Sequence, residues 1–276
     1  LTGGVVAQDA TPEAGDSLIS GLGYPVIEYT TDGTTLSGPT ELTAGRYLLK
    51  VVNTSAIEEW DMSFYSSKDD MTVDDLLAQL SAVDTQSSGA PDIFYQIGHN
   101  GGVSSPATEA IVQLSAGEYV AAAMFFSEPG GVATQKVTVT GDLPEFAPIA
   151  GAVEVTLADM SIDLPDTLDA GPQIWQVTST GALPHFVQVM KSNGELTNEE
   201  AVNGIKLVYG MADATPAADG SVQDPMSWED IAGSPTITGG VTTIFEMDLE
   251  PGTYIAFCFI EGPGELGSHA LHGMTR

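Results

Sequence analysis

The sequence predicts an all-β fold: two Greek-key β-sandwiches in tandem, each with a short inserted helix. Three observations carry this. The chain holds many short apolar runs separated by Gly, Pro and Asp turns, it has helix signals at two equivalent places, and it contains a long internal repeat. The runs RYLLKVV, QIWQVTS, QKVTVTG, GAVEVTLA and TTIFEMDL are rich in β-branched and aromatic residues, which suit a pleated surface. Many short strands of this kind pack as two facing sheets.

Residues 1–19 come first. LTGGVVA is small and apolar, ends like a signal-peptidase site and gives way to the acidic linker QDATPEAGDS. With no initiator Met and no basic segment before it, this run is expected to be the tail of a signal peptide, and export to the periplasm, cell surface or medium is expected. The first unit is expected over residues 20–142. ELTAGRYLLKVVNTSAIEEWDMSFYSS (41–67) resembles TLDAGPQIWQVTSTGALPHFVQVMKS (167–192) in its order of turn, strand, turn and strand. A helix signal follows each: Thr72 as N-cap before Asp74 and Asp75, and Thr197 before Glu199 and Glu200. LSAGEYVAAAMFF (114–126) then parallels LEPGTYIAFCFI (249–260). The boundary falls in GDLPEFAP (141–148), and the second unit runs over residues 146–276.

Acidic residues number 38 against 7 basic ones, a formal charge of −31. Such a surface repels phosphate backbones, which excludes nucleic acid as a partner. It attracts a partner with a basic patch. No apolar run approaches the roughly 20 residues of a membrane-spanning helix, so no membrane insertion is expected. A single cysteine leaves no intramolecular disulfide.

That cysteine, Cys258, ends the run PGTYIAFC and is followed by HALHGM, with His269, His272 and Met274. A thiolate, a thioether and imidazoles are the ligand types that select copper in an electron-transfer site. His185, in TGALPHFVQV, offers a further imidazole. Of the two loop histidines, His269 leaves room for separate ligation with Met274, whereas His272 would force both onto nearly one turn. The metal ligand set read from the sequence is therefore His185, Cys258, His269 and Met274.

Two motifs together resemble those of the cupredoxins, the blue copper proteins, over residues 146–276. One is Gly252-x-Tyr254-x-x-x-Cys258 running into a loop that ends His269-x-x-x-x-Met274. The other is Gly181-x-x-Pro184-His185. The resemblance implies one type 1 copper ion, with His185 and His269 as imidazole ligands, Cys258 as thiolate and Met274 as weak axial ligand. Phe186 stands where small cupredoxins usually have Asn, and ten residues separate Cys258 from His269. The implied function is electron transfer. The alternatives are a metal-free extracellular binding or structural module of the same fold, and copper scavenging or delivery.

The ligands do not repeat. An ungapped comparison puts Glu59 at the place of His185 and Ala123 at that of Cys258, and the first copy passes from FFSEPGGVATQ straight into KVTVTG. The first unit is thus expected to carry no site, and the second to close with a strand after Met274, in a sequence incomplete at its C-terminus. His99, in a Gly-rich stretch, is expected to be solvent-exposed. Four histidines and no His-x-His pair are too few for a second, catalytic copper cluster, so a protein that is not itself an enzyme is expected. No phosphate-binding loop and no Ser-His-Asp pattern is present.

Overall fold

The computed structural model describes residues 17–68, 70–86, 93–208, 210–211, 214, 225–262 and 267–276. The expected signal-peptide tail and most of its acidic linker lie outside the described residues. The chain is mostly β. Its first half holds β1 (Val26–Thr31), β2 (Leu36–Ser37), β3 (Glu41–Thr43), β4 (Gly45–Asn53) and β5 (Trp60–Ser67), then α1 (Val73–Ser81) and α2 (Ile93–Gln96). After them come β6 (Ile97–Ser104), β7 (Glu109–Leu114), β8 (Gly117–Phe125) and β9 (Gly131–Thr140). The second half holds β10 (Val153–Ala158), β11 (Ser161–Asp163), β12 (Gly171–Ser179) and β13 (Gln188–Lys191). It continues with α3 (Asn198–Val208), β14 (Glu229–Gly233), β15 (Thr242–Leu249) and β16 (Tyr254–Phe257).

The two helices start where the sequence places them, because each N-cap pairs reciprocally with the third residue of its helix. Thr72 and Asp75 exchange hydrogen bonds at α1, and Thr197 and Glu200 do so at α3. Each pair satisfies backbone N–H groups that a helix end leaves free.

β8 reads GEYVAAAMF and is buried over seven consecutive residues, because both its faces are covered. Tyr119, Ala121, Ala123 and Phe125 face the core between the sheets, while Val120, Ala122 and Met124 lie under α1. Two-sided burial explains an apolar run without alternation. β16 repeats this: Ala256 and, one step past the strand, Cys258 face the inner core, while Ile255 and Phe257 lie under α3. Tyr119 and Tyr254 each donate a hydroxyl hydrogen bond to the carbonyl four residues upstream, at Ser115 and Glu250.

One layer is an eight-stranded sheet in the order β11-β10-β12-β15-β7-β4-β1-β2. It passes from one half to the other where β15 pairs with β7, Thr243 facing Val112 and Ile244 facing Ile111. The second layer consists of β3-β9-β8-β5-β6 and β14-β13-β16. Between those two sheets Ile237 bridges Asn100 of β6 on one side and His185 on the other. The first inner core takes its residues from 27–139, the second from 155–274.

The register corrects one equivalence. With Gly117 matched to Gly252, Phe64 faces Ala121 as Val189 faces Ala256, so His185 corresponds to Trp60 and not Glu59. Trp60 shares the inward face with Met62 and Phe64. A one-residue slip would turn that whole set outward. The loop before β5 is one residue longer than the loop before His185, which an ungapped comparison could not accommodate. Ala123 keeps its place opposite Cys258 in the repeat.

Candidate metal centre

Three of the four residues expected at the site converge at one end of the second core. Nδ1 of His185 lies 3.2 Å from Nδ1 of His269, and Sγ of Cys258 lies 3.7 Å from the same His269 atom. All three potential ligand atoms lie within 4.8 Å of one another, and all three residues are fully buried. The two short edges would let one ion lie about 2.0 Å from nitrogen and about 2.3 Å from sulfur, so the three residues offer an N₂S donor set.

Backbone pairing explains the convergence. β13 pairs with β16 so that Gln188 faces Phe257, which carries the chain before β13 toward Cys258. Beyond Cys258 the long loop is closed at its base: Ile260 accepts from His269 N–H at 2.8 Å, and Glu261 bridges Ser268. His269 opens a one-turn 3₁₀ helix, His269–His272, pinned by Ala270 N–H donating to the Cys258 carbonyl at 2.9 Å. His269 is buried and His272 exposed.

Met274 is buried in the same core as Cys258. The segment from Met274 to Arg276 runs antiparallel beside Ala256–Cys258. Cys258 N–H donates to the Met274 carbonyl at 3.2 Å, Phe257 bridges Thr275, and Ala256 and Arg276 exchange two hydrogen bonds. Met274 thus stands directly across from Cys258, and side chains of directly opposite residues project from the same face.

Hydrogen bonds orient the donors, and burial sets their protonation. His185 Nε2 sits 3.0 Å from Asp159 Oδ1. A carboxylate there fixes the proton on Nε2 and leaves the Nδ1 lone pair facing the site. Burial lowers the pKa of His185 despite the opposing pull of Asp159. Burial would raise Asp159, yet hydrogen bonds from His185 and from the amides of Leu183 and Ala182 hold it below the usual range. Burial pushes the Cys258 thiol up to about 11, against hydrogen bonds from the amides of Phe186 and Ile260. Those amides point at the sulfur and would stabilise a thiolate once a cation displaced its proton. Phe186, where Asn was usual, covers the core with its ring and supplies its backbone N–H.

Asp159 escaped sequence reasoning. It sits in the turn after β10, 26 residues from His185, with no motif spacing to mark it. Gly181 was part of the Gly-x-x-Pro-His motif, and its reason is now visible. A Cβ there would lie 2.3 Å from Asp159 Oδ1 and 2.8 Å from His185 Nε2.

His99 corrects another expectation. It lies on β6, only 2% exposed, with Nε2 2.7 Å from the Phe94 carbonyl and edge-on contacts to Tyr65 and Phe94. Glycines at 98, 101 and 102 made the stretch look like a loop; they instead let β6 approach β5 closely, since a Cβ at Gly102 would overlap the Met62 carbonyl.

A scan of family models and a search of curated proteins find no match to this chain. Among solved structures it is similar to Lac15 from a marine microbial metagenome, at 14% identity and a TM-score of 0.21, covering 87% of this chain and 63% of that one. It is also similar to a multicopper oxidase from Campylobacter jejuni, a metallo-oxidase, at 9% identity and a TM-score of 0.23, covering 95% and 65%. A third is the McoA multicopper oxidase from Aquifex aeolicus, at 12% identity and a TM-score of 0.22, covering 92% and 65%. The chain spans less than two thirds of the length of each of these proteins. Two of the three are named as oxidases, and a fourth similar structure is a laccase from Pediococcus acidilactici. Against these enzymes, the expectation of a protein that is not an enzyme, drawn from the histidine count, is corrected.

Proposed function

We propose that the chain holds one copper ion between Nδ1 of His185, Nδ1 of His269 and Sγ of Cys258, with the Met274 thioether as a weak fourth ligand, and passes single electrons through it. The observation that carries this reading is the buried N₂S triangle, with its 3.2 Å and 3.7 Å edges. Bound copper would supply a one-electron Cu(I)/Cu(II) couple there. The chain's own residues do the rest. Asp159 holds His185 in the Nε2–H form, the amides of Phe186 and Ile260 hold the sulfur, and the apolar core of Val187, Val189, Trp175 and Met274 keeps water from the centre. Soft sulfur with imidazole favours copper over hard cations such as Mg²⁺ or Ca²⁺. The acidic surface suits a redox partner with a basic patch, and the small apolar run before the acidic linker suits a protein exported from the cytoplasm.

Anaerobic titration of the full chain with copper tests the reading. One tight equivalent with an intense visible charge-transfer band is expected. Weak, colourless Cu(I) uptake would support scavenging or delivery instead, and no uptake a metal-free module. Oxygen consumption by the loaded protein with an organic reductant, in the same experiment, reports oxidase activity. Cys258→Ser should abolish the band, because the band needs the thiolate. His269→Ala should cost more than the roughly 10- to 100-fold that a supporting residue costs, and His272→Ala close to nothing. The reverse order would assign the ligand to His272.

A further inference from the structure

The half of the chain without ligands is built into the centre. The segment from Ile237 to Val241 lies as a strap between the His185 loop and β6. On the site side, His185 N–H donates to the Ile237 carbonyl at 3.0 Å and Ile237 N–H returns a bond at 2.8 Å. At the loop's other end, Gly240 N–H donates to Ser179 O at 2.8 Å, and Ser179 N–H to Val241 O at 3.0 Å. The strap therefore grips the 179–185 loop at both ends. Between them Gly239 packs so closely that a Cβ would lie 2.3 Å from the Gly181 carbonyl. Gly181 in turn abuts the Asp159–His185 hydrogen bond.

The strap is itself bonded to the first half at Thr238. Thr238 N–H donates to His99 O at 3.0 Å, while its hydroxyl lies 3.2 Å from His99 O and 3.3 Å from His99 N, donating to the first and accepting from the second. Asn100 bridges Ile237 next to it, and its own amide ties β6 to Ser66 of β5 at 2.9 Å. Thr238 is 7% exposed, and His99, Ile237 and His185 less. Buried backbone groups paired on both sides have few alternative positions.

We infer that the first half is a template for the metal centre, fixing His185 through the strap, and that Thr238 is the positioning residue that couples them. This rests on the copper reading for its functional meaning. The positional part stands on the hydrogen bonds alone.

Two measurements on the full chain test it. In the metal-free protein, amide hydrogen exchange should show His185, Ile237 and Thr238 protected together with the β6 amides; a His185 amide that exchanges much faster than β6 would overturn the inference without any variant. Thr238→Val, which keeps the shape and removes the hydroxyl, should speed exchange at His185 and Ile237 about ten-fold and leave β16 unchanged. It should also weaken copper retention about ten-fold, the lower end for a supporting residue, and shift the charge-transfer band. Thr238→Ser should restore all of these. If exchange at His185 and copper retention in Thr238→Val both match the parent, Thr238 positions nothing. A parent chain that takes up no copper would sink the copper reading, and the exchange data would still decide the positional claim.

Discussion

Asp159 supplies the only carboxylate contact to the triangle among the described residues, and it acts through His185 rather than on the site itself. Its carboxylate accepts from His185 Nε2 at 3.0 Å and from the amides of Ala182 and Leu183 at 3.1 Å each, so it fixes both the ring and the loop that carries it. Asp159→Ala should lower copper affinity about 10- to 100-fold, read by chelator competition. Gly181→Ala should act in the same direction, because its Cβ would have to part the two partners. The double variant should lose little beyond either single one, since both remove one interaction; losses that simply add would mean that Gly181 matters for another reason. His99 carries a pH prediction. Burial lowers its pKa from 6.5 to about 4. Between those values the unfolded chain binds more protons than the folded one, so stability is lost as pH falls through that window, by on the order of 3 kcal/mol in full. His99→Gln should flatten the slope of stability against pH between about 4 and 6.5 relative to the parent; an unchanged slope would count against a buried neutral His99. At this scale His185, Cys258 and His269 were legible as candidates whose side chains come together, because a thiol and imidazoles at such spacing have few other reasons to be grouped. Asp159 was not legible, because a turn aspartate has many.

Strands with both faces covered explain what the sequence pattern could and could not convey. β8 and β16 carry unbroken apolar runs, which fix burial but not orientation, so no pattern alone told which face Cys258 would take. The ladder supplies that: Ala256 and Cys258 share one face, Ile255 and Phe257 the other. The same parity argument replaced Glu59 with Trp60 as the counterpart of His185, and no composition could have shown it, since the fault was a single inserted residue in a loop. The helix starts were legible because capping is local chemistry confined to four residues. At α1 the Thr72 hydroxyl accepts from Asp75 N–H at 3.1 Å and also bonds the Asp75 carboxylate at 2.6 Å. Thr72→Ala should therefore cost about 1 kcal/mol of stability, with Thr72→Ser nearly neutral, measured by urea denaturation. Because α1 packs on the outer face of the five-stranded sheet, the copper band of Thr72→Ala should be that of the parent.

The two halves meet along both layers. In one layer β7 pairs with β15; in the other, Ile237 links β6 to His185. Sequence repetition led to the expectation of two copies of one unit but said nothing of this junction, since repeats carry no record of which edge strands touch. The charge works the opposite way. With a net charge of −31, the compact state confines strong like-charge repulsion, and most of the few cations are already committed: Lys50 to Glu109, Lys136 to Asp74, Lys191 to Glu250 and Arg276 to Asp166. Exposed pairs of this sort contribute little, at about 0–1 kcal/mol each, so they do not offset the repulsion. Salt screens that repulsion within a Debye length of about 10 Å at 0.1 M, and added salt should raise the melting temperature. The continuous layers make a further demand on the same experiment. Strands hydrogen-bonded across the division should lose their partners together, so the halves should unfold in one cooperative step. Tryptophans report on both: Trp60 lies in the first core, Trp175 in the second and Trp228 under α3. Trp60→Phe leaves emission from the second half alone. Its unfolding midpoint, compared with that of a variant keeping only Trp60, should coincide at low and at high salt. Midpoints that separate at low salt and merge as salt is added would show that repulsion, rather than pairing, governs the junction, and would undo the coupling between the first half and His185.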